Sequence, residues 1–297
     1  MKIRAGYEIS YECPQSTPMI LTLSVYPSRV PDLLSLDRIK LDPILPVNTY
    51  HDSFGNFCHV ITAPAGRLTM SADFLVHEEG RPDTIAPQAP QHALADLPVD
   101  VLIYLLGSRY CETDRLSHTA WSLFEHVPKG WPLVQAICDY VHDHTTFGYE
   151  HASPFKTAWD VHTQRTGVYR DFAHLAVTFC RCMNIPARYC TGYLGDIGVP
   201  ADATPMDFSA WFEVYLGDRW YTFDARHNKP RIGRILMARG RDATDVAIVT
   251  SFGQCTLRSF KVITVEVTSV NHVNTRLSVI RIFETGGMIL ERRLQLI

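Results

Sequence analysis

Long apolar runs are missing from this 297-residue chain. No stretch of 18 consecutive apolar residues occurs, so hydropathy gives no membrane-spanning helix. The opening residues, MKIRAGYEISYE, alternate apolar and polar side chains without a continuous hydrophobic segment, and no signal peptide is expected there. An excess of either charge is missing too: 28 Lys and Arg stand against 31 Asp and Glu, leaving −3 at neutral pH. Bulk electrostatics therefore give no reason to expect nucleic acid or an anionic membrane as partner. The phosphate-cradling patterns GxGxxG and GxxxxGK[ST] are absent, and so is the HExxH zinc signature. None of the eight cysteines forms a CxxC pair. Cys180 and Cys182 are one residue apart, as are the histidines His142 and His144, and on a helix such neighbours do not share a face. Without an export signal, all eight cysteines are read as reduced, buried thiols. The expectation is a cytoplasmic protein with no metal and no cofactor.

What is present divides the chain into three. Over residues 1–80 the pattern is that of strands. Ile3, Ala5, Tyr7, Ile9 and Tyr11 recur at period two, residues 19–28 and 66–76 repeat the style, and DSFGN (52–56) reads as a turn. Residues 81–100, rich in proline and poor in large apolar side chains, read as a linker. From 101 to 297 the periodicity turns helical and then returns to strands. Helices are expected around SHTAWSLFEHV and WPLVQAICDYVHDH. Another begins near Tyr169, where Phe172, Leu175, Ala176, Phe179 and Met183 fall on one face. Asn184 before Ile185-Pro186 is a stop signal, because Asn tolerates the left-handed conformation and the residue before proline disfavours the helix. ARYCTGYL follows as a strand. AWFEVYL and RWYTFDA form a hairpin across Gly217-Asp218, and residues 245–297 are read as strands. The fold class is α+β.

The segments GVYRDFAHLAVTFCRCMNIPARYCTGYL, DFSAWFEVYL and RWYTFDARHN, in that order, resemble the core of the transglutaminase-like superfamily, relatives of the papain-like cysteine proteases. The N-terminal β region resembles the domain that precedes this core in a bacterial subgroup. The resemblance implies a papain-like core behind an antiparallel β domain, and a lineage of amide hydrolases and acyltransferases acting on peptides or proteins. It also implies a Cys-His-Asp triad. A thiol in the first turn of a helix is favoured as thiolate by the dipole and an imidazole, while an aspartate fixes the tautomer of the histidine.

Matched position by position, this chain departs twice. The nucleophile position of Gly167-Val168-Tyr169-Arg170-Asp171 holds Tyr169, and the histidine position of Ser209-Ala210-Trp211 holds Ser209. Asp224 matches the third position. A phenol, with a pKa of about 10, is a weak nucleophile unless activated, so the usual thiol chemistry is not expected here. His227, three residues after Asp224, is the candidate to replace the missing imidazole. His174 lies about 140° around the helix from Tyr169 and is read as a packing residue. Trp159, Trp211 and Arg170 are the expected substrate-binding residues. The acidic loop of Asp196, Asp202 and Asp207 reads as solvated, with gating of a cleft or cation binding as alternatives. Three functions stay open: an amide-processing protein stripped of its thiol chemistry, a repurposed enzyme using Tyr169 as acid-base with Asp224 and His227, and a non-catalytic peptide-binding module.

Overall fold

The computed structural model describes residues 1–201 and 206–268; the expected strands beyond 268 and the loop residue Asp202 lie outside the described residues. The alternating residues of the N-terminal region do form strands. Lys2–Cys13 pairs along its whole length with Gly66–His77, and places Ile3, Ala5, Ile9 and their neighbours in a fully buried layer. Two four-stranded antiparallel sheets result. One runs Thr256–Glu266, Lys2–Cys13, Gly66–His77, Lys40–Asp42, and the other Val249–Ser251, Thr17–Leu21, Phe57–Ala63, Asn48–His51. The 52–56 turn is held by Asp52, whose Oδ1 accepts the backbone N–H groups of Phe54 and Asn56. Strands 249–251 and 256–266, which the sequence pattern groups with the core, are thus hydrogen-bonded into the sheets of the N-terminal region.

That pairing brings Cys13 and Cys255 together, and the two form a disulfide. The expectation of eight reduced thiols is corrected for this pair, because the register of two distant strands, invisible in cysteine spacing, sets the contact. The other six cysteines are buried and free. The reduced-thiol reading followed from the expected absence of an export signal, and the Cys13–Cys255 pair departs from it. Among the described residues, no helix is long and apolar enough to cross a membrane.

Among the described residues four α-helices build the second half: α1 (Thr113–Phe124), α2 (Trp131–His144), α3 (Ala158–Gln164) and α4 (Tyr169–Cys182). The short α3 has no counterpart in the periodicity, since seven residues show barely two turns. Its start is fixed by a capping box in which Thr157 and Asp160 exchange side-chain and backbone hydrogen bonds. Helix α4 runs through the middle of the core, with every residue from Arg170 to Cys182 buried. Phe172, Leu175, Ala176 and Phe179 pack against the other three helices and against a third antiparallel sheet, ordered Arg219–Phe223, Ser209–Leu216, Ala187–Tyr193, Ile235–Gly240. Truncating a side chain such as Phe179, which has no exposed surface, to alanine costs about 3–5 kcal/mol. Asn184 takes a φ of 62°, ending α4 as its residue type suggests, and Gly217 and Asp218 take φ of 51° and 64°, the twist a two-residue hairpin needs.

The third sheet is buried on both sides. Phe212, Val214 and Leu216 face the helices, whereas Tyr193, Ile235 and Met237 join the apolar layer of the N-terminal strands. The segment read as a linker is also tied to the core, since Asp83 accepts the backbone N–H of Arg231 and the side chain of Arg234. Fold and hydrogen bonding together fix the strand ends of the third sheet against the start of α4.

Candidate active site

The site begins at the entry to α4. Gly167 approaches the helix so closely that a Cβ there would lie 2.6 Å from Cβ of Asp171. The Asp171 carboxylate accepts the backbone N–H of Val168 at 2.9 Å, closing the first turn. This turn presents Tyr169, half-buried, with its ring centroid 4.8 Å from that of Phe147 and 5.9 Å from that of His227. The guanidinium of Arg226 lies 4.1 Å from the centre of the Phe147 ring and 5.8 Å from that of Tyr169.

The strand Arg219–Phe223 ends at Asp224, and the chain then turns back so that His227 meets it. The backbone N–H of His227 donates to Oδ1 of Asp224 at 3.0 Å, and its Nδ1 lies 2.9 Å from Oδ2. A carboxylate only accepts, so Nδ1 carries a proton, and in the neutral ring the lone pair is on Nε2. Asp224 is itself buried. Burial alone would raise its pKa, but the charge of Arg234 and the hydrogen bonds from His227 outweigh this and hold the carboxyl well below its ordinary range. Arg234 reaches Asp224 Oδ2 at 2.9 Å with Nη2 and bonds Asp83 through Nε. The result is a hydrogen-bonded chain, Asp83, Arg234, Asp224, His227, whose last ring lies beside that of Tyr169.

Beside it lies a cavity of about 190 Å³. Tyr169, His227 and Ser209 line it, together with Arg226, Lys229 and Arg231. Ser209 stands at the start of its strand, buried, and its Oγ has no hydrogen-bond partner among the described residues. The structure therefore brings together Tyr169, Ser209 and His227 around one cavity, with Asp224 bonded behind His227.

The other three expected site residues lie elsewhere. Trp159, on α3, packs against the helical core under the guanidinium of Arg115, 4.3 Å from the ring centre. Trp211 is buried two residues beyond Ser209 and lies under Arg234, at 5.0 Å. Arg170 is buried, donates to the carbonyl of Ser153, and sits over the Tyr110 ring at 5.3 Å. None of the three lines the cavity. His174 is fully buried, stacked on Tyr110, with Nε2 accepting the N–H of Ala243. Of the acidic loop, Asp196 and Asp207 line the cavity. Among the described residues no group of three or more His, Cys, Asp or Glu is placed to hold a metal ion.

The sequence pattern misses Arg234, Arg226, Arg231 and Asp83. The first three fall in ARHNKPRIGR, a run dense in basic residues directly after Asp224, which was a usable signal. Asp83 carried none, since only folding brings it to Arg234.

The free cysteines offer no substitute nucleophile. Cys180 and Cys182 sit far down α4, and burial pushes the Cys180 thiol far up and that of Cys182 to about 12. Cys111 is pushed up to about 11 by the same cause. No cysteine lines the cavity.

With this geometry in hand, residues 125–225 match the pattern of the transglutaminase-like superfamily. This chain carries a transglutaminase-like core. Across nearly its whole length it is also similar to the crystal structure of a candidate cysteine protease from Cytophaga hutchinsonii. That likeness has a TM-score of 0.77 and 27% identity, and covers 93% of this chain and 92% of the other. An uncharacterized protein of Mycobacterium leprae is 36% identical over 87 residues, a match spanning 28% of this chain and 31% of that protein. One of Mycobacterium tuberculosis is 29% identical over 235 residues, spanning 70% and 73% respectively. The matched residues include the helix that opens at Tyr169, the strand that begins at Ser209, and Asp224 just past the strand Arg219–Phe223.

Proposed function

We propose that this chain acts on peptide or protein amides through a site of the transglutaminase-like lineage in which Tyr169, served by His227 and Asp224, replaces the thiol. The observation that carries this reading is the Asp224–His227 pair abutting Tyr169 at the start of α4. A binding module has no need of an imidazole held in a single tautomer by an ionised carboxylate. His227 Nε2 is free of the Asp224 bond and takes the phenol proton of Tyr169; the phenolate takes a proton from the water that adds to the amide carbon and returns it to the amine as the C–N bond breaks. Tyr169 opens α4, at the positive end of the helix, and the Arg226 guanidinium lies 5.8 Å from the centre of its ring. Proton transfer of this kind is worth about 10²–10⁴ in rate. Usual thiol acyl transfer is not expected, because the nucleophile position holds a phenol and the free cysteines are buried away from the cavity.

A second reading is a peptide-binding module without turnover. It is favoured by the ring cluster of Phe147, Tyr149 and Tyr169, which partly occupies the mouth where a thiol would be open to substrate.

The test is turnover of a peptide amide library, followed by mass spectrometry, by the native chain and by its Tyr169→Phe variant. The reading expects product from the native chain and a loss of about 100-fold or more in the variant, with the circular dichroism spectrum unchanged. Equal turnover by both would remove it. Peptide binding without product from either would leave the binding module.

A further inference from the structure

Three residues that line the cavity beside Tyr169 each carry a buried hydrogen-bond donor without a partner. Arg231 is 4% exposed and Ser209 5% exposed, yet Nε of the first and Oγ of the second have no hydrogen-bond partner among the described residues. Nε of Arg226 is buried and unpartnered as well. An unsatisfied buried donor costs about 1–3 kcal/mol, more when charged, and native structures keep few of them. Here three belong to residues lining one cavity. An arginine has no acceptor capacity, and neither Nε–H bonds the one acceptor among the three, Ser209 Oγ, so both await an acceptor from elsewhere.

Charge favours an anionic acceptor. Arg226, Lys229 and Arg231 line the cavity against two carboxylates, Asp196 and Asp207. Asp196 stands 3.9 Å from Nη2 of Arg231, a loose contact, while that Nη2 donates to the carbonyl of Gly195 at 3.0 Å. Asp207 accepts the backbone N–H of Phe208, and burial pushes its carboxyl up to about 7, so at neutral pH it carries only part of a negative charge. Arg234 does not enter this count, because its charge is already matched by Asp83 and Asp224. The wall thus keeps a positive excess, with planar guanidinium groups suited to a carboxylate.

We propose that this cavity is a carboxylate-recognising subsite, so that the peptide held beside Tyr169 presents an acidic group close to the amide. The source of that group is either an acidic side chain or a free C-terminal carboxylate, and the two share the same chemistry at Arg226, Arg231 and Ser209. The proposal rests on the peptide reading above for what surrounds the carboxylate, but its test reads binding and needs no turnover.

Three peptides serve as probes, titrated by calorimetry. One is acetyl-Ala-Glu-Ala-amide, with only a side-chain carboxylate. Another is acetyl-Ala-Gln-Ala with a free C-terminus, and the third is acetyl-Ala-Gln-Ala-amide, which is uncharged. The protein is used both native and as Tyr169→Phe, so that loss of chemistry is separated from loss of binding. One of the two charged peptides should bind about tenfold or more tightly than the uncharged one, with the tighter partner identifying the source of the carboxylate. Rising salt should narrow that gap. Arg226→Gln should remove most of the preference. Arg231→Lys, which keeps the charge but lacks Nε–H, should weaken it with the fold retained. Equal affinity for all three peptides, or an undiminished preference in Arg226→Gln, overturns the proposal. Failure of turnover with the preference intact would instead count against the amide chemistry and leave the subsite standing.

Discussion

His227 grips Asp224 at two points, its backbone N–H on Oδ1 at 3.0 Å and its Nδ1 on Oδ2 at 2.9 Å. A two-point grip fixes both the position of the turn and the rotation of the ring. It means that the imidazole beside Tyr169 comes from the turn three residues past Asp224, and not from the strand that carries Ser209.

Asp224 should therefore matter for stability as much as for chemistry. Its carboxyl is depressed below the ordinary range by Arg234 and His227. The stability it contributes is present above the unfolded-state pKa of about 3.9, and is lost as pH falls through the lower folded-state value. Asp224→Asn should cost about 3 kcal/mol at neutral pH, near the lower end for breaking a buried ion pair, because Asp83 still matches Arg234. Thermal melts of both proteins across pH 2–7 would check this. The difference in Tm should hold above about pH 4 and shrink below it. A difference independent of pH would contradict the assignment.

Tyr169→Cys should expose the electrostatics of the helix start directly. In the native protein the six free thiols are buried and should resist iodoacetamide under native conditions. The variant should take up one label rapidly, with a pH midpoint below the ordinary thiol value of about 8.5. Labelling no faster than that of an unfolded thiol would mean that neither α4 nor His227 assists the position.

The Cys13–Cys255 pair has its own signature. Denaturing the protein without reductant and alkylating it should modify six cysteines, the eight of the sequence less the bonded two. The bond closes a sequence separation of 242 residues. Reducing it should lower stability by on the order of 2–5 kcal/mol in a urea titration, and Cys13→Ser should abolish the effect of reductant. Eight alkylations without reductant would contradict the bond.

Much of this arrangement was legible in the sequence because it is local. The period-two residues from Ile3 to Tyr11, the apolar face of α4, the stop at Asn184 and the Gly217-Asp218 hairpin each depend on neighbours within a few positions, and the structure has all four. The transglutaminase-like core itself was legible from segments in order. What escaped depends on distant contacts. Helix α3 is too short to show a period. The pairing of strand 256–266 with strand 2–13 sets the disulfide. Arg234 became important only by reaching both Asp83 and Asp224. Arg170, Trp159 and Trp211 stand near the site in sequence, yet packing draws them to Tyr110, Arg115 and Arg234 instead.

The central claim is that Tyr169 and His227 act as one unit on an amide. A double-mutant cycle of Tyr169→Phe and His227→Gln, read as kcat/KM on the best substrate of the peptide library, tests it most directly. If the two side chains share one proton-transfer step, each change alone costs about 10²–10⁴ and the double variant is little worse than either single one. Losses that multiply, or a silent change at either position, would contradict the account.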